Sequence, residues 1–175
     1  LLVAGASLGA PQARGATVRD GRAQAEAIVL DVGHGLAVLL RAADGTDVLV
    51  DAGGLGDDVA ARRILPALRR LGVTRLESIV VSHEDVDHCG QVAPVLTEVP
   101  CRDVIVAEGF GVRSAAAALV RHCARTGVPV LRAARGDVIV RGGVTLRVLH
   151  PPRGTPRPTH NDRSLVIHAT LAGAP

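Results

Sequence analysis

Residues 79–88 read Ile-Val-Val-Ser-His-Glu-Asp-Val-Asp-His, and this stretch decides which fold and which chemistry we expect of the chain. An apolar run typical of a buried strand ends in a turn that carries two imidazoles and two carboxylates, at His83, Asp85, Asp87 and His88. A strand that stops at such a turn can aim these side chains at one point past its C-terminal end, where α/β folds commonly bind ligands. We therefore interpret the stretch as a metal site and not as a chance cluster of solvated loop residues.

The composition predicts one globular domain. The chain has 175 residues, of which 47% are hydrophobic and only 21% charged, so it can build a sizeable core and is not expected to be disordered. Phe110 is the only aromatic residue, which argues against a surface that binds nucleic acid by base stacking. The net charge of +3 is mild support for a polyanionic partner.

The chain has three cysteines, Cys89, Cys101 and Cys123. Their spacing matches neither a zinc knuckle nor a disulfide framework, so we expect the three side chains to be small buried hydrophobes.

The order of apolar runs and turns predicts a mixed α/β domain with hairpins at both ends. Apolar runs with Gly-rich turns predict strands, and apolar residues at helical spacing predict helices between them. Pro66 falls inside the first helix, so we expect that helix to kink or to begin late. The predicted strands are 25–31, 36–41, 47–50, 78–81, 104–107, 128–131, 137–140, 145–149 and 164–170, and the predicted helices are 57–72, 90–98 and 114–126.

A cluster with this many ligands can support hydrolysis. Two divalent ions roughly 3.5 to 4 Å apart can activate water and can clamp both the attacking and the leaving oxygen of an ester. Carboxylates in place of some imidazoles make the site harder, so manganese or magnesium competes with zinc.

The same pattern, preceded by Leu-Val-Asp-Ala-Gly at residues 49–53, resembles the metallo-β-lactamase superfamily, whose usual motif has His where this chain has Asp85. More narrowly, residues from about 25 to 170 look like the C-terminal hydrolase-like domain of ComEC-type DNA-uptake competence proteins. That family usually carries Gln where His34 stands and Gly where Gln91 stands. The motifs that carry the resemblance, in order, are Leu-Asp-Val-Gly-His-Gly-Leu-Ala at 30–37, Leu-Gly-Val at 71–73, residues 82–88, and Asn-Asp-Arg-Ser-Leu-Val at 161–166.

The resemblance implies an αββα sandwich and a metal-dependent, nuclease-like activity with two divalent ions, zinc or manganese, or else magnesium. It implies that His83 and Asp85 hold one ion and that Asp87 and His88 hold the other. Asp87 is also the expected catalytic residue, which would orient the attacking water.

Further positions are implied around this core of the site. The superfamily often supplies another ligand where His150 stands, and the alternative is a loop histidine packed on Pro151. Asp51 would brace the ligand loop from the neighbouring strand end, and His34 would contact substrate or lie behind the ligands. Asn161 and Asp162 would line the site, with a simple Asx turn as the alternative for Asp162.

The resemblance also implies a larger setting. Residues 1–24 are expected to be a linker or the end of a transmembrane segment, and residues 25–175 an incomplete hydrolase domain, because the superfamily continues into a strand ending in Gly-Asp that this chain lacks before Pro175. DNA is the expected substrate, the membrane is reached through a missing transmembrane portion, and the domain lies on the extracytoplasmic side of the cell membrane. No protein partner is inferable.

Two other functions remain open. One is a stand-alone hydrolase of a small ester, thioester or lactone, which an apolar pocket instead of an Arg-lined groove would favour. The other is a DNA-binding or structural module that keeps the fold without a working metal pair.

Overall fold

A six-stranded sheet with the strand order β1-β2-β3-β4-β5-β6 is the centre of the computed structural model, which describes residues 24–154 and 161–173. Strands β1 to β3 are antiparallel, and β3 to β6 run parallel. Asp44 and Gly45 form the tight turn of the β2–β3 hairpin, as predicted; the Thr46 N–H donates to Asp44 Oδ1 at 2.9 Å. The strands are β1 (Glu26–Val29), β2 (Val38–Arg41), β3 (Asp47–Val50), β4 (Ser78–Val80), β5 (Val104–Ala107) and β6 (Val130–Ala133).

Helices cover one face of this sheet. Their buried apolar side chains, such as Leu68, Val95 and Leu119, pack against Leu49 and Ile79 of the sheet. The first helix does begin late: a wide π-helical turn over Ala60–Ile64 precedes α1, and Pro66 then lies in the first turn, where a helix does not need its N–H. The α-helices are α1 (Leu65–Arg70), α2 (Val86–Cys89), α3 (Val92–Glu98) and α4 (Ser114–Thr126).

A second, antiparallel sheet covers the other face. It consists of β7 (Val138–Arg141), β8 (Val144–His150) and β9 (Val166–Leu171), and a short 3-10 turn over Asn161–Arg163 precedes β9. Leu146 and Ile167 of this sheet pack with Val50 and Ile105 of the first sheet in a second apolar cluster. The described residues therefore form a helical layer followed by two sheets, which are three of the four layers of the predicted αββα sandwich.

A buried ion pair also joins the two sheets. Arg141 of β7 donates to Asp103 Oδ2 at 2.6 Å and to Ser78 Oγ at 3.0 Å, and the Ser78 hydroxyl donates to Asp103 Oδ1 at 2.6 Å. Only 11% of the Arg141 side chain is exposed, so this polar network is shielded from water. It fixes how the second sheet sits on the first.

The remaining sequence predictions divide between those that the structure answers and those that fall outside it. Cys89 and Cys123 are buried thiols, as expected, whereas Cys101 is half-buried. The linker or membrane interpretation of residues 1–24 falls, apart from Gln24, outside the described residues. Within the described ranges, none of the helices has the length and apolar character needed to span a bilayer.

Candidate metal centre

The ligand-rich stretch leaves β4 as an extended loop and then turns into the short helix α2, which carries Asp87 and His88. Its backbone lies directly on two glycine-containing turns: the Leu36 N–H donates to the Asp87 carbonyl, and the Ala52 N–H to the His88 carbonyl, each at 3.0 Å. A Cβ atom on Gly53 would lie 1.6 Å from the Asp87 carbonyl oxygen. Glycine is therefore required at residue 53 for residues 82–88, the predicted metal-binding loop, to reach their position.

Asp51, directly after β3, is hydrogen-bonded to Ser82 and His88 of the stretch that follows β4. Its side chain is fully buried, and its backbone has a φ of 57°, a left-handed conformation that Asp and Asn tolerate better than most residues. Asp51 Oδ1 accepts the Ser82 N–H at 2.7 Å. Asp51 Oδ2 accepts the Ser82 hydroxyl at 2.7 Å and lies 2.8 Å from His88 Nδ1. The resemblance implied a bracing role for Asp51, and the structure brings Asp51 into hydrogen bonds with the loop that it would brace.

The two histidines of the stretch lie side by side, with ring centroids 4.0 Å apart. In each ring, Nδ1 lies within hydrogen-bond distance of an oxygen atom. Ser82 Oγ lies 3.0 Å from His83 Nδ1, and Asp51 Oδ2 lies 2.8 Å from His88 Nδ1. A partner at Nδ1 places the hydrogen there and leaves Nε2 as the nitrogen that can bind a metal. His83 Nε2 faces Asp85 Oδ2 at 3.4 Å, and His88 Nε2 faces Asp87 Oδ2 at 3.8 Å.

The surroundings shift the two imidazoles in opposite directions. Burial lowers the pKa of His83, the neighbouring His88 lowers it further, and the nearby carboxylates do not compensate. Burial also acts to lower the pKa of His88, but the hydrogen bond and charge of Asp51, together with the charges of Asp87 and Asp85, outweigh it and raise that pKa. Metals bind the neutral ring, so near neutral pH the proton competes with a metal more strongly at His88 than at His83.

The donor atoms pair into two candidate half-sites, and only one of them already has the ligand separation that a divalent ion needs. Ligand atoms that bind one ion at about 2.1 Å lie roughly 3.0 to 3.5 Å apart. The His83–Asp85 pair already has that separation at 3.4 Å, and the His88–Asp87 pair is slightly wider at 3.8 Å. No three His, Cys, Asp or Glu side chains in ranges 24–154 and 161–173 form a complete metal-binding group. Each half-site therefore consists of one imidazole and one carboxylate.

His34 approaches the second half-site from the Gly33–Gly35 turn. Its Nε2 lies 3.8 Å from Asp87 Oδ2, and 72% of its side chain is exposed. The structure thus brings His34 beside Asp87, and its contact with substrate or its place behind the ligands stays a prediction.

A cleft of about 620 Å³ opens beside the histidines. His150 and Asp162 line it together with His83, His88 and Asp51, so the structure brings five of the predicted site residues to one cavity. His150 Nε2 lies 2.9 Å from the Asp162 carbonyl oxygen, and this hydrogen bond turns that nitrogen away from ligation. The side chain of Asn161 lies outside what the structure describes.

The cleft walls are mainly apolar. Besides the residues above and two serines, the lining consists of aliphatic side chains, and within the described ranges it includes no arginine. The aliphatic residues are Leu36, Val50, Val80, Leu165, Val166 and Ile167.

Sequence reasoning missed Glu84, which lies within the metal-binding stretch but points away from it. Glu84 is buried, and its carboxylate accepts the backbone N–H groups of Gly111 at 2.8 Å, Val112 at 3.2 Å and Arg113 at 2.8 Å. Glu84 thus fixes the backbone of residues 111–113. From there the Arg113 side chain reaches Asp85, and its Nη1 donates to Asp85 Oδ1 at 2.9 Å. The available signal was an acidic residue between two predicted ligand positions. If its carboxylate is buried, it needs hydrogen-bond donors from another part of the chain.

Gln91 was noted only as a departure from the family pattern. Its side-chain oxygen accepts the Ala60 N–H at 3.0 Å, and its amide donates to the Gly56 carbonyl at 3.0 Å. Gln91 thus ties the loop after β3 to the helix that follows the metal-binding stretch.

Comparison with known proteins identifies a family and a set of relatives. The family model of the metallo-beta-lactamase superfamily matches residues 30–170. Recombination protein 2 of Haemophilus influenzae is 40% identical over 78 residues, which are 43% of this chain and 10% of that protein. ComE operon protein 3 of Bacillus subtilis is 24% identical over 168 residues, which are 86% of this chain and 21% of that protein. The chain thus spans only about a tenth to a fifth of the length of these curated relatives.

A solved structure has the same fold. The metallo-beta-lactamase of Cronobacter sakazakii with a HARLDQ motif superposes with a TM-score of 0.54 at 25% identity, and the match covers 78% of this chain and 52% of that chain.

Proposed function

We propose, from the premise that this chain belongs to the metallo-beta-lactamase superfamily, that it is a metal-dependent hydrolase domain that cleaves DNA phosphodiester bonds during DNA uptake. The superfamily consists in general of hydrolytic metalloenzymes, and its members typically bind divalent metals such as zinc or iron. The membership confirms the resemblance inferred from residues 79–88, and the matched relatives are competence proteins. The DNA substrate is our proposal, because the chain spans a small part of those relatives.

The observation that carries the proposal is the pair of imidazole and carboxylate half-sites, whose imidazole rings lie side by side with centroids 4.0 Å apart. Divalent ions bound there would supply Lewis acidity for hydrolysis of an ester. His83 and His88 would bind these ions through Nε2, and the oxygen atoms next to their Nδ1 atoms hold the two rings in place. Asp87, with its side chain 28% exposed, is the group placed to orient an attacking water and to accept its proton.

Arg113 supplies charge of the sign that a phosphodiester needs. Its guanidinium lies on Asp85 Oδ1 at the edge of the half-site, with 49% of the side chain exposed. Because the Glu84 carboxylate holds the Arg113 backbone, this positive charge is presented from a fixed loop. A guanidinium placed this way is suited to contact a phosphate oxygen beside the reacting bond.

The proposal extends to a role at the membrane. We propose that the domain belongs to a membrane-linked DNA-uptake protein, since the matched relatives are competence proteins, and that it lies on the extracytoplasmic side, where incoming DNA is met first. DNA is then the partner, with arginine side chains contacting its phosphates.

A second candidate function has a specific observation in its favour. The aliphatic lining of the cleft, with no arginine among the described residues, suits the apolar part of a small ester, thioester or lactone better than it suits a DNA backbone. In that case Arg113 would lie outside the substrate pocket.

The test is DNA cleavage by the purified chain with manganese, magnesium and zinc added separately. Single-stranded and duplex DNA are compared for wild type, for the double variant Asp87→Ala, His88→Ala, and for the matched control Asp57→Ala, His168→Ala. Asp57 is exposed, and neither Asp57 nor His168 lines the cleft. Cleavage that disappears only in the first double variant supports the nuclease.

Two other results would redirect the assignment. Bound metal with no DNA cleavage, but with hydrolysis of small ester, thioester or lactone substrates, would favour the second candidate. A chain that binds none of the three metals would leave neither hydrolase standing and would favour the module without a working metal pair.

A further inference from the structure

Residues 108–113, here called the β5 loop, follow β5 and lie beside the candidate metal centre. Strands β4, β5 and β6 run parallel, so the segments that follow them meet at one edge of the sheet. The buried Glu84 carboxylate accepts the Arg113 N–H at 2.8 Å. The β5 loop is therefore fixed by a residue that belongs to the ligand-rich stretch itself.

Two arginine side chains from other parts of the chain lie on the β5 loop. Arg132, near the end of β6, donates from Nη1 to the Phe110 carbonyl at 2.9 Å. Arg163 belongs to the turn before β9, and its Nη1 and Cδ lie 3.7 and 3.8 Å from the position that a Cβ of Gly109 would take. The structure thus brings two guanidinium groups to consecutive residues of one loop.

No carboxylate neutralises these two guanidinium groups in the part of the chain that the structure describes. In the same region Arg113 pairs with Asp85 and Arg153 pairs with Glu108, so acidic partners are already taken by other arginines. Arg163 Nε is buried and has no hydrogen-bond partner among the described residues. Arg163 therefore carries a positive charge and an unsatisfied donor, and the natural complement of both is an oxyanion.

We propose that Arg132 and Arg163 form a phosphate-binding subsite that holds the backbone of a DNA strand one or more nucleotides away from the bond that is cleaved, an assignment that rests on the proposed nuclease function. A guanidinium presents its N–H groups in a planar fork that matches phosphate, and such contacts position a strand without reading its sequence. The described lining of the cleft contains no arginine. The subsite therefore directs the strand over the β5 loop and not along the aliphatic walls of the cleft.

A purely structural role for the two arginines has a different consequence. If the contact of Arg132 with the Phe110 carbonyl only held the β5 loop, its loss would lower stability but would not change how DNA binding depends on salt. A cation that contacts a phosphate releases counterions, so its loss makes DNA binding less sensitive to salt. The salt dependence of binding therefore separates the two roles.

The test is binding of a fluorescein-labelled single-stranded oligonucleotide to the full chain, measured by anisotropy over a range of salt concentrations. Chelator is present, so that cleavage does not interfere. Wild type is compared with the Gln variant (Arg132→Gln, Arg163→Gln) and with the Lys variant (Arg132→Lys, Arg163→Lys), which keeps both charges. The matched control Arg121→Gln, Arg125→Gln removes the same charge from exposed positions in the C-terminal half of α4.

The expected size of the effect follows from the number of contacts. For single-stranded DNA, each cation that neutralises a phosphate adds about 0.7 to the steepness with which log affinity falls against log salt. The Gln variant should therefore lose about 1.4 from this slope, which corresponds to about 25-fold weaker binding at 0.1 M salt if both proteins bind equally at 1 M. The Lys variant and the α4 control should keep the wild-type slope. Arg163→Gln alone, which removes no hydrogen bond of the described residues, should lose about 0.7 and covers the case in which the Gln variant does not fold.

Several results would overturn the subsite. An unchanged slope in Arg163→Gln, a loss below about 1 in a folded Gln variant, or an equal loss in the α4 control refutes it and leaves the proposed nuclease intact. A slope that falls as much in the Lys variant as in the Gln variant refutes a charge contact and assigns a structural role. Wild type that binds no single-stranded DNA also refutes the subsite, and the metal-dependent cleavage assay then decides separately whether the proposed nuclease fails with it.

Discussion

Asp51→Asn should disable metal binding at His88 without unfolding the protein. Asp51 Oδ1 has to remain an acceptor because it faces the Ser82 N–H at 2.7 Å. The amide NH₂ of the variant is then forced into the place of Oδ2, where it faces the Ser82 hydroxyl and His88 Nδ1. The hydroxyl can rotate to accept from it, but His88 must become an acceptor at Nδ1 and so carry its hydrogen on Nε2. A protonated Nε2 cannot bind a metal.

The magnitudes follow from these contacts. Asn tolerates the left-handed backbone at residue 51, so the substitution adds little strain at a φ of 57°. Loss of one charge-assisted hydrogen bond should lower the free energy of unfolding by about 1.5 to 3 kcal/mol. Metal affinity at the His88 half-site should fall by at least about 10- to 100-fold, the usual effect of losing a carboxylate behind a ligating histidine. The pKa of His88 should also fall, because Asp51 raises it.

Three measurements check this prediction. Long-range ¹H–¹⁵N NMR of the metal-free protein reports the tautomer of His88, calorimetry with zinc gives the affinity, and urea unfolding gives the stability. Asp47→Asn is a matched control, because Asp47 is a buried carboxylate paired with Arg41 through two contacts of 2.7 Å at the opposite end of β3. It should lower stability and leave zinc affinity unchanged. If Asp51→Asn keeps the hydrogen on Nδ1 and binds zinc like wild type, our account of the brace is refuted.

Three further predictions concern the fold. Arg141→Met should cost about 3 to 5 kcal/mol in urea unfolding, because it removes the 2.6 Å partner of the buried Asp103 carboxylate and leaves only the exposed Arg102 at 3.9 Å. A variant that also carries Asp103→Leu should lose less stability, and an additive result would contradict this. Gly53→Ala, whose Cβ would lie 1.6 Å from the Asp87 carbonyl oxygen, should abolish zinc binding or folding, and wild-type behaviour would disprove the packing argument. Because burial lowers the pKa of His83, the unfolded chain takes up a proton at His83 before the folded protein does as the pH falls below about 6.5. His83 therefore lowers the free energy of unfolding at acid pH. In chelator, His83→Gln should therefore gain stability over wild type at about pH 5 and not at about pH 8, and an equal effect at both values would refute this.

The sequence was sufficient for features that depend on local patterning. The apolar runs and the Asp44-Gly45 turn predicted the strands and the first hairpin, and the bounds of α4 at Ser114 and Thr126 agree with the prediction. Strand β6 is an exception: the predicted range 128–131 lies two residues before Val130–Ala133, because the apolar pattern continues on both sides of the true start. The superfamily fold is confirmed by the match over residues 30–170.

The site could be predicted only where its residues are close in sequence. His83 and Asp85 lie in one motif, and their separation of 3.4 Å follows from a few residues of extended backbone. The contact of Glu84 with Arg113 spans 29 residues, and that of Arg141 with Asp103 spans 38, so neither has a periodic signal along the chain. The hydrogen bond between His150 Nε2 and the Asp162 carbonyl likewise joins residues 12 positions apart. Such contacts arise from tertiary packing, which one sequence does not encode in its spacing.

The carboxylates of this site form two groups that differ in burial and in role. Asp51 and Glu84 are at most 5% exposed, and each accepts at least two hydrogen bonds from the protein, as a buried carboxylate must. Asp85 and Asp87 are 28% exposed and direct an oxygen at an imidazole Nε2. Metal binding can change the second group at little cost, because water already reaches it, whereas a change in the first group would leave buried charge or buried N–H groups without partners. The first group therefore fixes the loops, and the second group is the part of the site that can adjust to an ion.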